Sequence, residues 1–205
     1  MILRAAAAAV VFALAGPAVA QLYKCVGKDG KVSYQAEPCA DSAREQRIKT
    51  PVAEAVETGP GGVSRIDVNQ AARRIASREG RPTVVLLYST TCSLSQRMFP
   101  DFVALAGQYR SRGVDFVVLS TDEDDAHGAV PGFLTARKAP FEPVAIKDWQ
   151  PGELSRAMAP LGIEIRSTWT RPLVAVRDRN GRVVRQSEAE VDLSGLRTAL
   201  DKLVR

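Results

Sequence analysis

Two apolar runs constrain what this chain can fold into more than any other feature: TVVLLY at residues 83–88 and VDFVVL at residues 114–119. Neither alternates apolar with polar residues, so each predicts a strand covered on both faces. Between them, Phe99, Phe102, Val103, Ala106 and Tyr109 fall on one side of a helix. Parallel strands need a crossover of this length, and such crossovers are right-handed, so residues 83–119 predict a βαβ unit with a parallel strand pair. Pro100 lies inside the crossover pattern and predicts a kink in its helix.

The flanking sequence extends that unit. Asp67 and Gln70 have capping-box spacing, and Val68, Ala71, Ala72, Ile75 and Ala76 form the stripe of a helix that Gly80 ends. Residues 130–137 and 151–158 read as short helices around a strand at 144–146. Residues 173–177, the turn signal Asp178-Arg179-Asn180-Gly181, and residues 182–186 make a hairpin. Leu193, Leu196, Leu200 and Leu203 line a closing helix. The expected fold class is α/β, a central mixed sheet flanked by helices.

Upstream of residue 63 the character changes. Arg4, an apolar run over residues 5–15, the break Gly16-Pro17 and Ala18-Val19-Ala20 have the form of a signal peptide cleaved near Ala20. The run is too short to span a bilayer, so the expected product is exported to an oxidising periplasm, with no membrane attachment after leader removal. Lys28-Asp29-Gly30-Lys31 is a turn signal between Val26 and residues 32–35. The ribbon it predicts buries little apolar surface, and a Cys25–Cys39 disulfide closing about fifteen residues contributes about 3 kcal/mol by restricting the unfolded chain. Tyr23-Lys24-Cys25, Asp29-Gly30-Lys31-Val32, Tyr34 and Pro38-Cys39 resemble a small exported bacterial module of unassigned function. Residues 42–62 are polar, end in Gly59-Pro60-Gly61-Gly62 and read as a linker. The organisation is then leader 1–20, disulfide-bonded β-ribbon 21–41, linker 42–62 and main domain 63–205.

Three cysteines leave one over once Cys25 and Cys39 pair, and that one is Cys92, in the stretch YSTTCSLS after the first apolar run. From residue 63 on, the chain resembles the thioredoxin-like fold, most closely its TlpA-like periplasmic branch. The resemblance rests on a strand ending at Tyr88, Cys92 at a helix start, Pro100 eight residues on, Thr170-Arg171-Pro172 before the hairpin, and an extra strand and helix between Leu119 and Thr168. It implies a cis-proline at Pro172 beside the cysteine, with Thr91, Ser93, Trp169, Thr170 and Arg171 around a groove for an extended peptide. The alternative is a trans proline opening an edge strand. Three positions depart from the family: Ser95 replaces the second cysteine of the CxxC motif and leaves CxxS, Leu86 replaces a buried acid, and Thr91 stands where tryptophan is common.

A cysteine at a helix N-terminus meets unpaired N–H groups and the positive end of the helix dipole, which favour the thiolate and lower the thiol's pKa. Ser95, one turn in, is placed to donate a hydrogen bond to that sulfur, but a hydroxyl cannot resolve a mixed disulfide. An intramolecular dithiol cycle is excluded, whereas exchange through one sulfur remains open if an outside thiol completes it. Two readings follow. One is monothiol exchange, as reduction or isomerisation, between Cys92 and exported proteins carrying thiols or disulfides, with an external thiol or redox partner. The other is a non-catalytic thioredoxin-fold binding module. A dimer linked through Cys92 also stays open, as for any odd exported cysteine.

Other features carry less. The formal charge of +5 is a weak bias, and the basic stretch AARRIASREGR at residues 71–81 has the pattern of a helix's wet face without interleaved aromatics, which argues against a nucleic-acid partner. His127 with Asp122, Glu123, Asp124 and Asp125 lacks metal-ligand spacing and reads as a solvated turn, so no metal is expected. No motif asks for a cofactor. Trp149 and Tyr109 read as packing residues.

Overall fold

A computed structural model describes residues 56–205 and the backbone of three earlier strands. The chain divides into two units, Met1–Glu54 and Ala55–Arg205. In the first, β1 (Leu22–Val26) pairs antiparallel with β2 (Val32–Gln35), with Val26 opposite Val32. The other edge of β1 carries β3 (Arg44–Ile48), which corrects the linker reading of residues 42–62. Arg44-Glu45-Gln46-Arg47-Ile48 has no apolar alternation, so its pairing rests on backbone hydrogen bonds that leave no hydrophobic signature. Cys25 lies on β1, whereas Cys39, the Cys25–Cys39 pairing and the leader lie outside the described residues.

The second unit begins before residue 63, because β4 (Glu57–Thr58) pairs antiparallel with β5 (Ser64–Ile66). There follow α1 (Val68–Ala76), β6 (Thr83–Tyr88), α2 (Ser93–Arg110), β7 (Asp115–Ser120), α3 (Val130–Ala136), β8 (Val144–Ile146), α4 (Pro151–Met158), β9 (Leu173–Arg177), β10 (Val183–Glu188) and α5 (Leu193–Leu203). One sheet runs in the order β10-β9-β6-β7-β8-β5-β4. β6, β7 and β8 are parallel, and β9 is antiparallel to β6.

Continuous apolar strands follow from cores on both sheet faces. Val84, Leu86, Tyr88, Val174 and Val176 pack with Phe99, Phe102 and Leu105 of α2 and with Leu196 and Leu200 of α5. Val85, Leu87, Leu173 and Ala175 pack with Ala71 and Ile75 of α1 and with Leu154 and Met158 of α4. Side chains alternate along each strand, so one run of sequence fills two layers. The capping box at α1 is present, with the Asp67 carboxylate accepting from Asn69 N and Gln70 N while Gln70 Oε1 accepts from Asp67 N. At the hairpin turn, Gly181 takes a φ of 76°, and Asp178 Oδ1 accepts from Asn180 N and Arg182 N, both at 2.9 Å.

This topology gathers three chain segments at one sheet edge. In the parallel register Tyr88 stands beside Ser120, so the carboxyl ends of β6 and β7 lie together. β9 runs the other way, with Leu173 beside Leu87, so its start lies at the same edge. Crevices outside the carboxyl ends of parallel strands are where open α/β sheets bind ligands.

Candidate functional site

Cys92 is the N-cap residue of α2, with extended backbone at φ −81° and ψ 121°. Its carbonyl accepts from Gln96 N at 2.9 Å, opening the helix, and its own N–H donates to Ser89 O at 3.4 Å. The side chain is partly exposed and uncrosslinked. Its thiol donates to the carbonyl oxygen of Arg171 at 3.4 Å, across the sheet edge. The Arg171–Pro172 peptide bond is cis, and Pro172 is buried. Cys92, Arg171 and Pro172 thus meet in space. Thr91, Ser93 and Thr170 are exposed around them.

Ser95 behaves differently from the sequence expectation. Its side chain is fully buried, and its Oγ accepts from Ser89 N at 3.3 Å; the partner of the Cys92 sulfur is the Arg171 carbonyl. Ser89 N lies just past the end of β6, and a buried amide left unpaired is costly, so the Ser95 oxygen faces inward to it. Leu86, where the resembled family has its acid, is fully buried in the core.

A buried carboxylate does serve this edge, and it comes from the segment just after β7. Asp122, 2% exposed, accepts from Ser89 Oγ at 2.6 Å, from Thr90 N at 2.9 and 3.0 Å, and from Ser120 Oγ at 2.8 Å. Ser89 Oγ spends its single proton on Asp122, so it accepts from Thr91 N at 3.2 Å and from the Thr91 hydroxyl at 2.9 Å. Gln96 Nε2 closes the turn by donating to Thr90 O at 2.7 Å. Burial, with the Asp122 charge adding to it, pushes the Tyr88 phenol well above its ordinary range.

The reading of residues 122–127 as a solvated turn is therefore corrected at Asp122 and His127, while Glu123, Asp124 and Asp125 are exposed. His127 is fully buried, accepts at Nδ1 from Arg65 Nε at 3.3 Å, and faces the Asp122 carbonyl with Nε2 at 3.1 Å. Because Nδ1 accepts, Nε2 carries the proton and donates. The four acids drew the expectation outward, but Arg65, 62 residues away in sequence, covers the ring. The available signal was a repeat: a Ser-Thr pair follows each apolar run, Ser89-Thr90 just past β6 and Ser120-Thr121 at the end of β7, so polar residues gather at this sheet edge.

Trp149 also belongs to the site and not to packing alone. The Arg171 guanidinium lies over the Trp149 ring at 5.0 Å and the Trp169 ring at 5.5 Å, and the two indoles meet at 6.0 Å in a T-shaped pair. Arg171 Nε donates to Thr121 Oγ1 at 2.9 Å, and its far nitrogen is 3.9 Å from the exposed Glu123 carboxylate. Among the described residues, no group of three or more histidine, cysteine or acidic side chains is placed to hold a metal ion. Among them also, no helix is long and apolar enough to cross a membrane.

Comparison with known proteins adds a match to one domain and a fold. Residues 5–60 match the model of a domain of unknown function, DUF4124. A search of curated proteins gives no match. A thiol:disulfide interchange protein of the thioredoxin family from Chlorobium tepidum TLS superposes with a TM-score of 0.50 at 19% identity, covering 94% of this chain and 100% of that one. A secreted disulfide oxidoreductase of Mycobacterium tuberculosis, homologous to E. coli DsbE, gives 0.47 at 18% identity over 62% of this chain and 86% of that one. The unit that carries Cys92 has a thioredoxin-like fold, and the segment before it matches the DUF4124 domain.

Proposed function

We propose that the protein is an exported, periplasmic thiol–disulfide exchange protein that works through one sulfur, Cys92. The observation that carries this reading is the place of that sulfur: partly exposed, at the N-terminus of an 18-residue helix, and in contact with the Arg171 carbonyl of the cis Arg171–Pro172 bond. The name of the Chlorobium protein, a thiol:disulfide interchange protein, supports the same class of chemistry. In the forward step Cys92 loses its proton to solvent and attacks one sulfur of a partner disulfide. The partner S–S bond breaks, its other sulfur leaves as thiolate, and a mixed disulfide with Cys92 forms. A second thiol then displaces Cys92: a thiol of the same substrate in isomerisation, an external thiol in reduction. Ser95 cannot take that role. Thr91, Ser93, Thr170 and Arg171 form the rim that an extended partner meets.

The competing reading is a binding module without turnover, and one observation favours it: the Cys92 thiol is already engaged by the Arg171 carbonyl. Alkylation separates the two. Under exchange, iodoacetamide modifies Cys92 of the folded protein at mildly acidic pH faster than it modifies the urea-unfolded chain, and mixed disulfides trapped in the periplasm disappear in Cys92→Ser. A folded-state thiol slower than the unfolded one, with no trapped partner, rejects exchange and leaves the binding module.

A further inference from the structure

The exchange reading leaves unexplained what holds one sulfur against one backbone carbonyl when the second thiol is missing. Two consecutive residues at the end of β7 touch both sides of that contact. On the cysteine side, the Asp122 carboxylate fixes Ser89 and Thr90, and the Ser89 carbonyl receives the Cys92 N–H. On the arginine side, the Thr121 hydroxyl donates to Tyr88 O at 3.0 Å and accepts from Arg171 Nε at 2.9 Å. One hydroxyl therefore ties the end of β6 to the residue whose carbonyl meets the sulfur. Both residues are buried, and neither touches Cys92. His127 completes the arrangement from behind through the Asp122 carbonyl.

We infer that Thr121 and Asp122 are positioning residues for Cys92: they set the distance between its sulfur and the Arg171 carbonyl. The inference rests on the exchange reading for its consequence, though not for its geometry. Thr121→Val keeps the shape and removes both hydroxyl bonds, while Tyr88 O retains its 2.7 Å bond from Thr121 N, so the fold is spared. Thr121→Ser restores the hydroxyl. A side-chain hydrogen bond's net worth corresponds to a threefold to tenfold change in a two-state population, roughly.

The decisive readout is the infrared S–H stretching band of Cys92, isolated by difference against Cys92→Ser, because its frequency follows the hydrogen bond to Arg171 O. The expected result is a band moved toward the free thiol in Thr121→Val and unmoved in Thr121→Ser, with the same displacement in Asp122→Asn. Should Asp122→Asn not fold, Ser89→Ala, which removes the hydroxyl facing the carboxylate, takes its place. An unmoved band in Thr121→Val, or equal displacement in both Thr121 variants, overturns the inference; an unmoved band in the Asp122 or Ser89 variant overturns its Asp122 half. Cys92 alkylation in Thr121→Val should also quicken about threefold to tenfold, because the bond to the carbonyl holds the sulfur as an engaged thiol, and a moved band with an unchanged rate overturns the inference too. If wild-type Cys92 resists alkylation altogether, the exchange reading fails while the band still decides the positioning.

Discussion

Ser95 occupies the place where, on the proposed exchange chemistry, a second thiol would release Cys92 from a mixed disulfide. The two side chains are three residues apart at the start of α2, neighbours along one helix face. A thiol differs from a hydroxyl by one atom, and the site already excludes water from that position. Ser95→Cys is therefore expected to give, under mild oxidant, an intramolecular disulfide between Cys92 and the introduced sulfur, seen as loss of two alkylatable thiols in mass spectrometry. Persistence of both thiols under oxidant would show that the helix start holds the pair apart. At this scale Cys92, Arg171 and Pro172 were legible, since a cysteine after a buried strand and an Xaa-Pro before a hairpin are local patterns. Asp122, His127 and Trp149 were not, because their roles depend on Ser89, Arg65 and Arg171, partners far away along the chain.

Elements were read well wherever burial dictated the pattern. Continuous apolar runs became β6 and β7 because both sheet faces are covered, and the leucine spacing became α5. β3 and β4 escaped notice for the opposite reason: polar edge strands need only backbone pairing. Caps lie in between, being local and polar, and the Asp67–Gln70 box was legible from spacing alone. Asp67→Ala removes the acceptor for two backbone N–H groups of α1 and is expected to cost about 1 kcal/mol of unfolding free energy in urea titration. Asp67→Asn should recover most of it; equal losses in both variants would assign the effect to something other than the cap.

For the whole molecule, three carboxylates, Asp178 buried at the hairpin turn and Asp192 and Asp201 exposed or partly so, tie neighbouring segments together and make stability depend on acid. The Arg182 backbone N–H, aided by the Arg182 guanidinium and Asn180 N, holds the Asp178 carboxyl below its ordinary value of 3.8. The Gly195 backbone N–H, with Arg185, does the same for Asp192. Arg112, followed by the Tyr109 hydroxyl, lowers Asp201. Each pKa is lower folded than unfolded, so the unfolded chain takes up protons first. Their contribution is whole above 3.8 and is lost as the pH falls through the folded values. The urea midpoint should hold between about pH 7 and pH 5 and fall steadily below about pH 4, with a smaller fall in Asp178→Asn. A midpoint indifferent to acid would mean that these contacts are matched in the unfolded chain.

The pair of indoles beneath Arg171 has an optical consequence. They are the two tryptophans of the whole sequence, and both lie beside the residue that receives the Cys92 thiol. Indole emission from this protein therefore originates entirely at one corner of the molecule, and whatever lands on that corner changes its colour or brightness without any dye attached.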